Sequence, residues 1–158
     1  MTNQQHNHIA PIEIVTLTAD RLSATAQIES RCFSEPWSEN ALAYLLGSNT
    51  VAFAALCGGE LIGYGGMVIA LDEGQITNIA VHPTHRRLGA GRAILSALSK
   101  EAKKRGLKQI SLEVRPSNTA AVSLYEQHGF SIAGRRKNFY KKPCEDALVM
   151  LCSLSEKV

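Results

Sequence analysis

Apolar and polar residues alternate from Ile12 to Leu17, the period of a half-buried strand. A helix is expected from about Asp20 to Cys32. Pro36-Trp37-Ser38 then breaks the chain, and Ser38 suits the N-cap of a second short helix reaching Leu46. Val51–Cys57, the pair Gly58-Gly59 and Glu60–Ala70 read as a hairpin. Gly74–Val81 reads as a further strand that Pro83 ends. The plainest helical pattern runs from about Gly89 to Arg105. Ile94, Leu95, Leu98 and Ala102 share one face there, Ser96, Lys100, Lys103 and Lys104 the other, and Gly106 stops it. Gln109–Val114 is a strand rich in Ile, Leu and Val. Asn118–Gln127 is a short helix closed by Gly129, and Ile132–Tyr140 and Ala147–Leu154 form a last pair of strands. Hairpins beside helix-joined strands predict a mixed sheet. Residues 1–10 read as a flexible lead-in, and 11–155 as one domain without repeats or linkers.

The composition fits that reading. A chain of 158 residues with 45% hydrophobic content can bury one core. No apolar run approaches the roughly 20 residues of a membrane helix, and the polar stretch Met1–His8 gives no expectation of export. Cys32, Cys57, Cys144 and Cys152 are scattered without a CxxC pair, so reduced thiols and no metal are expected. His82 and His85 lack carboxylate or thiolate partners and read as a solvated turn; His6, His8 and His128 carry no stronger signal. The net charge of +3 is mild, but basic residues cluster at His85–Arg87, Lys103–Arg105 and Arg135–Lys142. Such clusters suit nucleic acid or a small polyanionic cofactor.

Three places carry candidate chemistry. Arg86-Arg87-Leu88-Gly89-Ala90-Gly91 links a strand to the amphipathic helix, where free backbone N–H groups and the helix dipole make an anion site. Gly89 and Gly91 allow close approach to the backbone, and Arg86, Arg87 and Arg92 add charge. The spacing is neither GxGxxG nor GxxxxGK(S/T), which disfavours a nucleotide hydrolase. A plain glycine-rich helix start with basic decoration fits the same residues. Glu113 lies in the apolar run Ile110–Val114, where desolvation would make a carboxylate a stronger base near neutral pH. An edge-strand Glu facing water, or one paired with Arg115, fits equally. Tyr125 follows Ala121 by one helical turn, where pattern alone says core packing, and Asn118 reads as a helix N-cap.

Arg-x-x-Gly-x-Gly between a strand and a helix resembles the acetyl-CoA signature of the GNAT superfamily of N-acetyltransferases. Asn78-Ile79-Ala80-Val81, Leu112-Glu113-Val114-Arg115, Ser117-Asn118, Ala120-Ala121, Leu124-Tyr125-Glu126 and Gly129-Phe130 extend the likeness. With Pro36-Trp37-Ser38 and Glu145-Asp146-Ala147 they are similar to the RimI group, the ribosomal-protein-alanine N-acetyltransferases. The likeness covers nearly the whole chain, most strongly residues 76–152. It implies an α+β (mixed α/β) GNAT fold, a strongly twisted mixed sheet of six to seven strands with helices on both faces. It implies acetyl-CoA as co-substrate, no metal, and the N-terminal amine of a ribosomal-protein alanine as acceptor. Glu113 becomes the general base, directly or through a water, and Tyr125 the general acid. A bulged strand would offer backbone N–H groups of Ile79, Ala80 and Val81 to the acetyl carbonyl and pantetheine arm. Arg86, Arg87, Leu88, Gly89, Ala90, Gly91 and Arg92 would hold the pyrophosphate, and Asn118 would touch the coenzyme. Trp37 reads as a packing anchor in a region that lines the acceptor cleft of RimI-like proteins. A cytoplasmic monomer is expected, without membrane or direct nucleic-acid contact.

The chain departs from that pattern at three points. Asn138-Phe139-Tyr140 stands where RimI-like sequences commonly carry Asn-Tyr-Tyr, Lys141–Cys144 is short, and His82 replaces a frequent acidic residue. These bear on the acceptor and not on the chemistry. Other protein N-termini, lysines and small amines are alternative acceptors. A non-enzymatic ribosome- or RNA-binding module using Arg135–Lys142 leaves the glycine loop unexplained and has few stacking aromatics.

Overall fold

The alternating segment Ile12–Thr16 forms strand β1, and Leu22–Cys32, entered through a 3-10 turn at Ala19–Arg21, forms helix α1. This computed structural model describes residues 10–154. The expected lead-in over 1–10, apart from Ala10, lies outside the described residues, as do His6 and His8. Ser38 caps α2, Glu39–Leu42, its hydroxyl accepting from Ala41 N at 3.1 Å, and a 3-10 turn completes that segment to Leu46. Strands β2 (Thr50–Cys57), β3 (Glu60–Ala70) and β4 (Glu73–Val81) follow, then α3 (Ala90–Lys104), β5 (Gln109–Val114) and α4 (Thr119–Gln127). The chain ends in β6 (Ser131–Lys141) and β7 (Cys144–Ser153). Strand β7 thus begins three residues earlier than its apolar run suggested, because Cys144 and Glu145 pair with Lys141 and Tyr140.

The seven strands make one mixed sheet in the order β1-β2-β3-β4-β5-β7-β6, with only β4 and β5 parallel. Glycines in β3 let helices approach both faces. A Cβ on Gly65 would lie 2.4 Å from Ile94 of α3, and one on Gly66 would lie 2.8 Å from Leu45 on the opposite face. The α3 side chains Ile94, Leu95 and Leu98 are fully buried in the larger core beside β5 and α4. Each contributes about 1.5–3 kcal/mol by leaving water. A second core packs α1 and α2 against the other face around Leu42, Leu45 and Tyr64. Among the described residues, no helix is long and apolar enough to cross a membrane, and no cluster of ligating side chains could hold a metal.

Candidate active site

Strands β4 and β5 pair over only three residues each, Glu73–Gln75 against Gln109–Ser111, and then part. The cause lies two residues further along β4. Asn78 faces Gly66 and Ile76 faces Met67, so Thr77 is an extra residue in the ladder. A bulge bends its strand and sharpens the twist; here Thr77 Oγ1 holds it by donating to Gly66 O at 3.2 Å. The bulge precedes Ile79–Val81 by two residues. His82 N donates to Ile62 O of β3 at 2.7 Å. Since amides alternate sides along a strand, those of Ile79 and Val81 face the gap left by β5, and that of Ala80 faces β3.

Where the strands part, a cleft of about 740 Å³ opens, the size of an ordinary small-molecule site. Its floor is β4 and β5. The segment between α1 and α2 forms one wall, the β6–β7 hairpin the rim, and the first turns of α4 the far side. Glu113, Tyr125, Asn118 and Ile79 all line it. Asn118 also caps α4, its Oδ1 accepting from Ala121 N at 3.2 Å. Trp37 packs against the second core, as expected of an anchor, and lines the cleft.

Burial alternates along β5, with Ile110, Leu112 and Val114 buried in the larger core. Glu113 therefore points to the opposite face, and the apolar surroundings expected from its sequence neighbours are not its own. Its carboxylate pairs with Arg136 Nε of β6 at 3.3 Å and accepts from Gln75 Nε2 at 3.3 and 3.4 Å. Arg115 is engaged elsewhere. It bonds Glu145 Oε1 at 3.2 Å and Pro143 O at 2.9 Å, and it lies 4.2 Å above the Tyr140 ring. Ser117 Oγ donates to Glu145 at 2.8 Å and Ser117 N does so at 2.8 Å. These bonds, led by the Ser117 hydroxyl, hold the Glu145 carboxyl below the usual range. The loop entering α4 is thus fastened to the hairpin rim.

Tyr125 approaches from the α3 face, packed in the larger core against Phe130. Burial, with a smaller contribution from Tyr140, pushes its phenol up to about 12. Its hydroxyl has no hydrogen-bond partner among the described residues, yet it is not sealed off, because it borders the cleft. The gap between β4 and β5 therefore joins a carboxylate on one face of the sheet to a phenol on the other.

The glycine loop adopts two left-handed residues, Arg87 at φ 65° and Gly89 at φ 89°. Such turns aim successive N–H groups into one concavity. Ala93 N is the first amide of α3 bonded to Gly89 O, so those of Ala90, Gly91 and Arg92 remain open at the positive end of the helix. A Cβ on Gly91 would touch Leu124 at 3.4 Å. The three arginines are not alike. Arg86 turns back to Val81 O at 3.3 Å and Cys32 Sγ at 3.7 Å, and Arg92 bonds Gln127 Oε1 at 2.7 Å. Among the described residues Arg87 makes no such bond. Leu88 beside it is exposed.

Sequence reasoning missed Glu29. It is 1% exposed and accepts from Tyr64 OH, from Asn78 Nδ2 at 2.9 Å and from Trp37 N at 3.3 Å, and it is among the residues that line the cleft. Burial, partly offset by the Tyr64 and Trp37 donors, pushes its carboxyl above the usual range. The legible signal is a Glu on the apolar stripe of α1, beside Leu22, Thr25 and Ile28.

A family model described as the acetyltransferase (GNAT) family matches residues 22–130. The ribosomal protein bS18-alanine N-acetyltransferase of Escherichia coli K12 is 39% identical over 144 residues, 90% of this chain and 97% of that protein. The crystal structure of the ribosomal-protein-alanine N-acetyltransferase from Escherichia coli superposes with a TM-score of 0.87 at 37% identity, covering 94% of this chain and 97% of that one. The PaiA N-acetyltransferase of Thermoplasma acidophilum, solved with coenzyme A, shares the fold at a TM-score of 0.77 and 17% identity, over 91% of this chain and 99% of its own.

Proposed function

Since this chain belongs to the GNAT family of acetyltransferases, we propose that it moves acetyl from acetyl-CoA to the N-terminal amine of an alanine on a ribosomal protein. The observation that carries the acceptor is the 39% identity to the bS18-alanine enzyme across nearly the full length of both chains. Membership of the GNAT family supports acetyl-CoA as the co-substrate, and the residues present fit it. Open amides at the start of α3 suit a pyrophosphate, and the unpaired amides of Ile79 and Val81 suit an acyl carbonyl and its pantetheine arm.

In this reading the thioester lies in the gap between β4 and β5. The amine enters from the face that carries Glu113, which takes its proton directly or through one water. Attack forms the N–C bond, and charge that gathers on the carbonyl oxygen is met by the β4 amides. The C–S bond then breaks toward the face that carries Tyr125, whose hydroxyl donates to the departing thiolate. Asn118 contributes a coenzyme contact while capping α4. The acceptor's following residues lie between the α1–α2 wall and the β6–β7 rim.

Two predictions test the two halves of the reading. A peptide with a free N-terminal alanine should surpass one with a blocked terminus and an internal lysine by at least about tenfold in kcat/KM, a difference of about 1.4 kcal/mol in transition-state binding. A preference for the blocked peptide would overturn the N-terminal acceptor and favour a lysine acetyltransferase. For the loop, Gly89→Val places a β-branched residue at φ 89°, a strain of about 1–2 kcal/mol, and Gly91→Val crowds Leu124. Acetyl-CoA affinity by calorimetry should fall about tenfold or more in at least one variant, with the fold retained. Unchanged affinity in both removes the pyrophosphate from this loop.

A further inference from the structure

The cleft wall between α1 and α2 is barely tied down. Among the described residues, 34–37 make only two hydrogen bonds. Ser34 Oγ donates to Lys142 O on the hairpin rim, and Trp37 N donates to Glu29. The first joins wall to rim across the mouth of the cleft. Among the described residues, the second is the wall's single polar tie toward β3 and β4, because Glu29 is in turn held by Tyr64 of β3 and Asn78 of β4. A fully buried carboxylate is costly unless donors surround it. All three of its donors belong to other elements, so it can relax only if one of those elements moves. Asn78 sits beside the Thr77 bulge and next to Ile79.

We propose that Glu29 is a positioning residue for the acceptor, locking Trp37 and the wall around it at a fixed distance from the β4 edge. The inference rests on the acetyltransferase reading above for the identity of the acceptor. The clamp itself is a property of the free protein. Glu29 touches no reacting atom in this scheme. It acts through the Trp37 amide, so acceptor binding depends on it and acetyl-CoA binding does not.

Trp37 is the sole tryptophan of the chain, so its fluorescence reports on the wall directly. Glu29→Gln keeps the volume but turns one acceptor oxygen into a donor that faces other donors. Acrylamide quenching of Trp37 should rise in this variant. KM for the alanine peptide should rise about tenfold, the worth of one hydrogen bond to a charged group, with kcat little changed. Acetyl-CoA affinity by calorimetry should stay at the wild-type value. Tyr64→Phe removes one support of Glu29 and should shift quenching and KM the same way by less; it carries the test if Glu29→Gln does not fold. Wild-type quenching in both variants overturns the proposal. So does a loss of acetyl-CoA affinity that parallels the rise in KM, because that marks general loosening. A wild-type enzyme inactive on the peptide would instead overturn the acceptor reading, while the quenching comparison still decides the clamp.

Discussion

Replacing Glu113 with Gln is expected to slow turnover by roughly 10²–10⁴-fold at neutral pH, the usual worth of a positioned general base. An α-amino group titrates near about 8 in water, so at pH 7 most acceptor molecules carry a proton that must leave before attack. Glu113 is the carboxylate on the floor of the cleft at the level where β4 and β5 have parted. Arg136 and Gln75 fix its direction. Gln keeps the shape and can still meet Gln75, but it cannot take a proton. The loss should shrink as pH rises above about 8, where the amine is neutral without help. Stability should hardly change, since a partly exposed ion pair such as that with Arg136 is worth about 0–1 kcal/mol. Release of free thiol from acetyl-CoA, followed across pH, measures the effect. A variant with near wild-type turnover at pH 7 would remove Glu113 from the role of base.

The fold was legible where one physical rule decided each element. Ile94, Leu95, Leu98 and Ala102 marked the buried face of α3 by helical spacing alone, and all four are fully buried. Ser38 and Asn118 announced two helix starts by their capping chemistry, and both caps are made. What the pattern could not give was long-range. The bulge at Thr77 depends on the register between β3 and β4, and no local signal in Gln75–Asn78 encodes it. The same holds for β6, where Lys137, Asn138 and Phe139 stand against Asp146 alone. Asp146 stabilises that bulge by accepting from Asn138 N at 2.8 Å, a pairing across eight residues of chain. It also explains how Phe139, read only as a missing hydroxyl, comes to line the cleft. Glu113 shows the opposite error. Its sequence neighbours are apolar, but a strand turns adjacent residues to opposite faces, so they say little about its own surroundings. Its partner Arg136 lies on a strand two places away in the sheet, beyond what any local window can reach.

Replacing Tyr125 with Phe should cut kcat by roughly 10²-fold or more, the cost of losing a donor aimed at developing charge, and should leave the melting temperature nearly unchanged. The two halves of that expectation come from the same fact. The Tyr125 ring is packed in the larger core, but its hydroxyl has no partner among the described residues. Phe preserves the packing and breaks no bond, so folding has little to lose. Turnover would lose the hydroxyl proposed to meet the leaving sulfur. How it acts follows from magnitudes. The phenol is pushed up to about 12, whereas an ordinary thiol titrates near about 8.5. Complete transfer to a free thiolate therefore runs uphill by roughly 5 kcal/mol. In the proposed role, most of the benefit would come from a hydrogen bond that strengthens as the C–S bond lengthens, with the proton following only as sulfur gains charge. Because the phenol keeps its proton to about 12, Tyr125 should cause no fall of kcat on the alkaline side until pH nears that value. A single-turnover assay with the alanine peptide, run beside thermal melts, reads both quantities. Full activity in Tyr125→Phe would leave the residue as packing alone, and a melting temperature that fell with activity would assign the loss to the core.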